Sequence, residues 1–218
     1  MGKKMDIAVI GLGKFGMQVG STLTELGHLV AGIDQNEHKV RQASEFFDQT
    51  FIIDAADKTA LEQIRIQDFG MVVISVGESM ETAILTALNL QELGVRNITV
   101  KASSPELRKV LIRLGVTNVV QPELDVAVLT AQRISNPGML DLLPVGGGVL
   151  VQEVTVNKWE GKTLMDLDLM NKHGVLVMAV KKAAEPEYRF VPDPHAAFAW
   201  GDRLILLGKP EAVLALEA

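Results

Sequence analysis

Apolar and polar positions along this chain switch between two periods, and the switches predict its elements. Short unbroken apolar runs at 6–10 (DIAVI), 29–33 (LVAGI), 51–53, 71–76 (MVVISV), 98–100 and 119–120 read as strands buried on both faces. Between them apolar residues recur at helical spacing. Phe15, Val19, Leu23 and Leu26 form one such face; Val40, Ala43 and Phe47 a second; residues 80–93 a third; Leu107, Val110, Leu111 and Leu114 a fourth. Gly27, Gly94 and Gly115 stand where these helices should stop. Strands alternating with helices predict a parallel sheet covered on both faces. Right-handed crossovers make it a doubly wound, Rossmann-like α/β fold.

The pattern changes after Gln121. Leu124, Ala127, Val128, Ala131 and Ile134 stripe one more helix, which ends at SNPG (135–138), and a GGG run follows at 146–148. The punctuation predicts a first domain over 1–138 that includes this crossover helix, a linker over 139–148, and a smaller α+β domain over 149–218. Strands are expected at 150–156, 175–180 and 203–207, and short helices at 162–167 and 210–216. A unit this small buries little core, and oligomerisation is a common remedy.

Composition narrows the function. Of 218 residues, 48% are apolar, so the chain forms a core. A net charge of −6 argues against a nucleic-acid partner, which needs a basic face. There are no cysteines, which excludes disulfides, thiolate catalysis and cysteine-based zinc sites. The opening MGKKMDIAVIG lacks the long apolar segment of a secretory signal, and no run approaches the ~20 apolar residues that cross a bilayer. The expectation is a cytoplasmic protein, with a membrane partner left open.

Candidate chemistry begins at Gly11-x-Gly13-x-x-Gly16, which follows a strand and opens a helix. The first glycine allows the turn, the second lets backbone approach a pyrophosphate, and the third permits close helix–strand packing. Free N–H groups and the dipole at the helix start favour phosphate. Alone the motif is weak. Asp34 strengthens it: at the end of the second strand, 21 positions after Gly13, it stands where a carboxylate grips a ribose 2′-OH. The alternative is a plain cap for the next helix. An acid there favours NAD or an adenine mononucleotide over NADP.

Ligands of open α/β sheets bind at the carboxyl ends of strands. That rule adds Asp54, Ala55 and Ala56 after the third strand, Ser75, Val76 and Gly77 after the fourth, Lys101 after the fifth, and Glu123 after the sixth. Asp54 to Ala56, Lys101 and Glu123 each have a bland alternative as a capping or solvated residue. Lys14 inside the turn could meet a terminal phosphate. No His–carboxylate pair, GxSxG elbow, HExxH helix or P-loop GKS/T is present, so the site reads as built to bind rather than to react.

Taken together, MDIAVIGLGKFG, GIDQNEHKV, VISVGE, ITVKASS and VVQPELDVA resemble the RCK/KTN domain of regulatory subunits of bacterial potassium uptake, of Ktr type and more distantly of Trk type. GKTLMDLDLMNKHGVLVMAVKK and GDRLILLG are similar to the family's RCK-C domain. The resemblance implies a non-enzymatic, cytoplasmic gating subunit, peripheral to the inner face of the membrane. It also implies dimers assembled into a homo-octameric ring, docked beneath a membrane-embedded potassium-translocating subunit. ATP and ADP would exchange in the cleft. By the same resemblance Gly11, Gly13 and Gly16 hold phosphates beside Lys14 and Phe15, and Asp34 grips the ribose. Gln35, Asn36 and Lys39 then lie beside the nucleotide, and Asp54, Ala55 and Ala56 border adenine; after the fourth strand, the backbone of Ser75, Val76 and Gly77 could approach a sugar or phosphate. Lys101 sits near ribose or phosphate, and Glu123 near a monovalent or divalent cation at a subunit boundary.

Three departures stand out. Lys14 replaces an arginine of the Ktr pattern, keeping charge but losing the bidentate fork. Ala56 replaces a common threonine. Some RCK-C domains bind cyclic di-AMP through apolar residues and an arginine; here that stretch reads Leu169-Met170-Asn171. The competing readings are an NAD-dependent oxidoreductase and an NAD(H)-sensing binding protein.

Overall fold

The apolar runs of the first half become one parallel sheet. In the computed structural model, which describes residues 4–77, 79–143 and 148–218, the elements follow in strict alternation. They are β1 (Asp6–Ile10), α1 (Lys14–Glu25), β2 (Leu29–Asp34), α2 (Glu37–Ala43), β3 (Gln49–Ile52), α3 (Lys58–Gln63), β4 (Met71–Ile74), α4 (Met80–Glu92), β5 (Ile98–Lys101), α5 (Pro105–Arg113) and β6 (Asn118–Val120). The strand order is β3-β2-β1-β4-β5-β6, the doubly wound arrangement, with its switch point between β1 and β4.

β1 shows why its run is unbroken. Ala8 and Ile10 face one core with Ile33, Ile74, Leu90 and Leu111, while Ile7 and Val9 face the other with Val30, Val40 and Phe47. Burying each large side chain contributes about 1.5–3 kcal/mol, so a strand sandwiched this way has no tolerance for a polar residue.

Three local expectations need correcting. Phe47 lies beyond α2, which stops at Ala43; its ring instead packs against Gly20 of α1 and Gly32 of β2, where any Cβ would fall within 3 Å of it. Leu26 is exposed, because α1 ends at Glu25. β4 ends at Ile74, two residues before the apolar run does. α3 has no clear apolar signature; its start is fixed by Asp57, whose carboxylate accepts the N–H groups of Thr59 and Ala60.

By contacts the chain divides into Met1–Glu123 and Leu124–Ala218. The crossover helix α6 (Pro122–Ser135) begins in the first unit and runs into the second. None of its residues is buried: Leu124, Val128 and Ile134 of the apolar stripe are exposed, and it is Leu129 that packs against the second core.

Within the second unit β7 (Met139–Leu143), β8 (Val149–Thr155), α7 (Leu164–Leu167), α8 (Leu169–His173), β9 (Leu176–Lys181), β10 (Arg189–Phe190), β11 (Arg203–Gly208) and α9 (Pro210–Leu214) build an antiparallel sheet of order β10-β9-β11-β8-β7 with short helices. The stretch expected as linker over 139–148 differs: its first half is β7, paired to β8 from Met139↔Gln152 to Leu143↔Val149. Gly146 and Gly147 of the GGG run, like Glu78 of VISVGE, lie outside the described residues. Leu169 is buried in the core, Met170 is exposed, and the Asn171 amide donates to Asp168.

Asp202 anchors the long return between β9 and β11. Its buried carboxylate accepts the Lys182 ammonium at 2.7 Å and the N–H groups of Ala199 and Ala183 at 2.9 and 3.1 Å. Among the described residues no helix is long and apolar enough to cross a membrane.

Candidate functional site

The glycine turn is held from two sides before any ligand is considered. Gly11 N–H donates to the Ile33 carbonyl at 2.8 Å, and Ser75 N–H to the Ile10 carbonyl at 2.6 Å. Gly11 has φ of 91°, and a Cβ there would strike the Ser75 carbonyl at 2.3 Å, so only glycine fits. A Cβ on Gly16 would meet the Gly11 carbonyl at 2.0 Å: this glycine lets α1 approach the strand end. Gly13 is different. Nothing lies within 4 Å of where its Cβ would be, so the open space is available to a ligand. As N-cap of α1, Gly13 supplies no side-chain acceptor, which leaves the first-turn N–H groups to water or an anion.

Asp34 crosses from β2 to this turn. Its Oδ2 accepts Leu12 N–H at 2.8 Å and the Lys39 ammonium at 3.3 Å; its Oδ1 accepts Asn36 N–H at 2.8 Å. A carboxylate has about four lone-pair sites, so one on Oδ1 remains for a ribose hydroxyl. The helix-cap alternative falls to the neighbour: Asn36 caps α2 by accepting His38 and Lys39 N–H groups.

Apart from Gly16 and Asn36, the residues singled out in the sequence line a single cavity of about 720 Å³ in the first unit. That volume is in the range of small-ligand sites. Gly16 works by packing and Asn36 by capping. Ser79 and Thr82, at the start of α4, also line it, and no spacing in the sequence marks them as site residues. Ser79 Oγ accepts the Thr82 N–H and caps that helix, and the Thr82 hydroxyl donates to the same oxygen, a local pattern common to many helices.

The mouth carries charge. Lys101 pairs with Glu123, and its ammonium lies 5.6 Å from the Phe15 ring centroid. The hydrogen bond from Lys101 is the main cause that holds the Glu123 carboxyl below the usual carboxylate range. The opposite wall is the loop after β3, where Asp54 accepts the Ala56 N–H at 3.0 Å.

The arrangement gathers unpaired helix-start N–H groups, a carboxylate with a spare lone pair and a polar loop around one cavity. Two domain families match the chain: TrkA-N over residues 7–122 and TrkA-C over 151–218. The Ktr system potassium uptake protein C of Bacillus subtilis (strain 168) is 36% identical over 183 residues, 84% of this chain and 83% of that protein. The Ktr system potassium uptake protein A of Vibrio alginolyticus is 32% identical over 204 residues, 93% of this chain and 92% of that protein. Among solved structures, the GsuK channel bound to NAD shares the fold with a TM-score of 0.55 at 20% identity, over 98% of this chain and 38% of the channel chain. This chain thus spans well under half of that channel's length. On these matches over most of its length, the chain belongs to the Ktr family of potassium uptake proteins, built from a TrkA-N and a TrkA-C domain.

Proposed function

We propose that this chain is the cytoplasmic, non-enzymatic regulatory subunit of a potassium uptake system, and that an adenine nucleotide in the first-unit cavity sets the shape of a ring of its copies beneath a membrane pore subunit. The observation that carries the reading is the single cavity in which the turn at 11–16, Asp34, Lys14 and the Lys101–Glu123 pair converge. A ligand shifts an assembly only if it binds its two shapes unequally. ATP and ADP differ by one phosphate, and the charged groups at the cavity mouth are where that difference would be felt. A phosphate entering beside Lys101 competes with Glu123 for the ammonium and frees the carboxylate for a cation. Among the described residues no three acidic or histidine groups converge. Such a cation therefore takes its remaining ligands from phosphate oxygens and water.

The exposed apolar residues of α6, Leu124, Val126, Val128 and Ile134, support assembly with further copies. In this reading the nucleotide domain is the first unit, and the smaller domain takes in most of α6 and β7. An NAD(H)-sensing protein is the second reading, because Asp34 suits the free 2′-OH of NAD equally well.

The test is calorimetric titration of the purified protein with ATP, ADP, NAD and NADH, with mass in solution recorded for each state. Tight ATP and ADP binding with a ligand-dependent assembly or shape supports the proposal. Binding of NAD(H) alone favours the second reading. Turnover of a substrate with NAD overturns both.

A further inference from the structure

The base-facing loop after β3 is held by α4, and the two contacts that hold it involve no candidate site residue side chain. Thr86 is fully buried, and its hydroxyl donates to the Ala55 carbonyl at 3.3 Å. Asn89, three positions on and so on the same face of α4, donates its side-chain amide to the Ala56 carbonyl at 2.9 Å. Both reach across more than thirty residues of sequence. A buried threonine hydroxyl and an amide aimed at two consecutive carbonyls fix the orientation of both peptide planes.

Planarity turns that into chemistry. With the Ala55 carbonyl held toward α4, the Ala56 N–H points away from it and is taken by Asp54 Oδ1. The Asp54 carbonyl accepts Asp57 N–H at 3.0 Å, so the Ala55 N–H points to the other side of the loop. Among the described residues that N–H donates to no protein acceptor, and Ala55 lines the cavity. A backbone donor on a cavity wall with no protein partner is available to a ligand acceptor. Asp54 lines the same cavity, and its carboxylate keeps lone pairs free beyond the one that takes the Ala56 N–H. Adenine presents the complement, an N6 amino donor next to the N1 acceptor; hypoxanthine presents O6 and N1–H, wrong at both places.

We infer that Thr86 and Asn89 are positioning residues for base selectivity: by anchoring the Ala55 and Ala56 carbonyls they keep one N–H and one carboxylate turned toward the Watson–Crick edge of adenine. The inference rests on the nucleotide reading above and deepens it. Because the two act through the loop, they govern which base is accepted and leave the phosphate tail alone.

The experiment compares ADP with IDP, and ATP with ADP, by calorimetric titration of the full chain and of Thr86→Val, Asn89→Ala and Thr86→Ser. In Thr86→Val and Asn89→Ala the preference for ADP over IDP falls about tenfold, the worth of one net hydrogen bond, while the ATP-to-ADP ratio stays within twofold. Thr86→Ser restores the preference. Asn89 is only half-buried, so its variant keeps the test alive if Thr86→Val fails to fold. An unchanged ADP-to-IDP ratio in a folded Asn89→Ala protein overturns the inference, as does a parallel fall in every affinity. If the unaltered protein binds none of these nucleotides, the functional reading itself fails, which is a distinct result.

Discussion

The Asp34 carboxylate accepts the Leu12 N–H at 2.8 Å, joining residues 22 positions apart at the end of β2 and in the middle of the glycine turn. The residue expected to grip a ribose is therefore also a clamp on the phosphate cradle. Asp34→Ala removes both functions at once. Affinities for ATP, ADP and NAD should fall together, and the protein should lose about 1–3 kcal/mol of unfolding free energy, because the buried Leu12 N–H is left without an acceptor. Calorimetric titration and urea unfolding measure the two losses; undiminished stability would show that the turn holds itself.

Lys14 opens α1 and lines the cavity beside the Gly13 gap. Lys14→Ala should weaken ATP more than ADP, since the extra phosphate carries the extra charge. Lys14→Arg should sharpen the discrimination by adding a planar fork of donors. Equal losses for both nucleotides in Lys14→Ala would place the terminal phosphate elsewhere.

Tyr188 is the sole tyrosine, which makes its titration readable. Burial is the first cause that pushes its hydroxyl up to about 12, followed by the hydrogen bond to Glu153 and that carboxylate's charge. Because the folded value exceeds the unfolded one, its contribution to stability is complete below the ordinary tyrosine range and disappears as pH climbs through about 12. Alkaline absorbance titration should show late ionisation, shifted down in Glu153→Gln. A midpoint at the ordinary value would mean the Tyr188–Glu153 contact does not form in solution.

Asp202 behaves in the opposite sense. Burial would raise its carboxyl, but the Ala199 N–H, the Lys182 hydrogen bond, the Ala183 N–H and the Lys182 charge outweigh it and the net direction is down. Its contribution is present above the ordinary aspartate range and vanishes as pH drops through the lowered value. Asp202→Ala strands two N–H groups and an ammonium, a loss of roughly 3 kcal/mol. Denaturant unfolding at neutral pH should show it, and the gap from the unaltered protein should narrow in acid.

The doubly wound sheet and the cavity were legible in the sequence for one reason: both depend on runs and spacings that backbone geometry reads directly. Ile7 to Ile10 had to be a doubly covered strand, and a glycine turn with Asp34 in register had to share an end of the sheet with whatever followed the other strands. What stayed hidden depends on partners distant in the chain. Phe47 has helical spacing to Ala43, yet its ring is claimed by Gly20 and Gly32. Met139–Leu143 lies between two breakers and looks like linker, yet β8 supplies its hydrogen bonds. Thr86 and Asn89 sit in an ordinary amphipathic helix, and only the path of the loop after β3 gives their polar atoms meaning.

The Phe47 ring has a broader consequence. One aromatic disc, seated where two side chains are missing, acts as the spacer between the first helix and the second strand, and so sets how high the head of that helix rides above the sheet. Adding a methyl at position 20 is therefore tolerable only if position 47 shrinks in compensation, a coupled exchange whose double variant should be healthier than either single one.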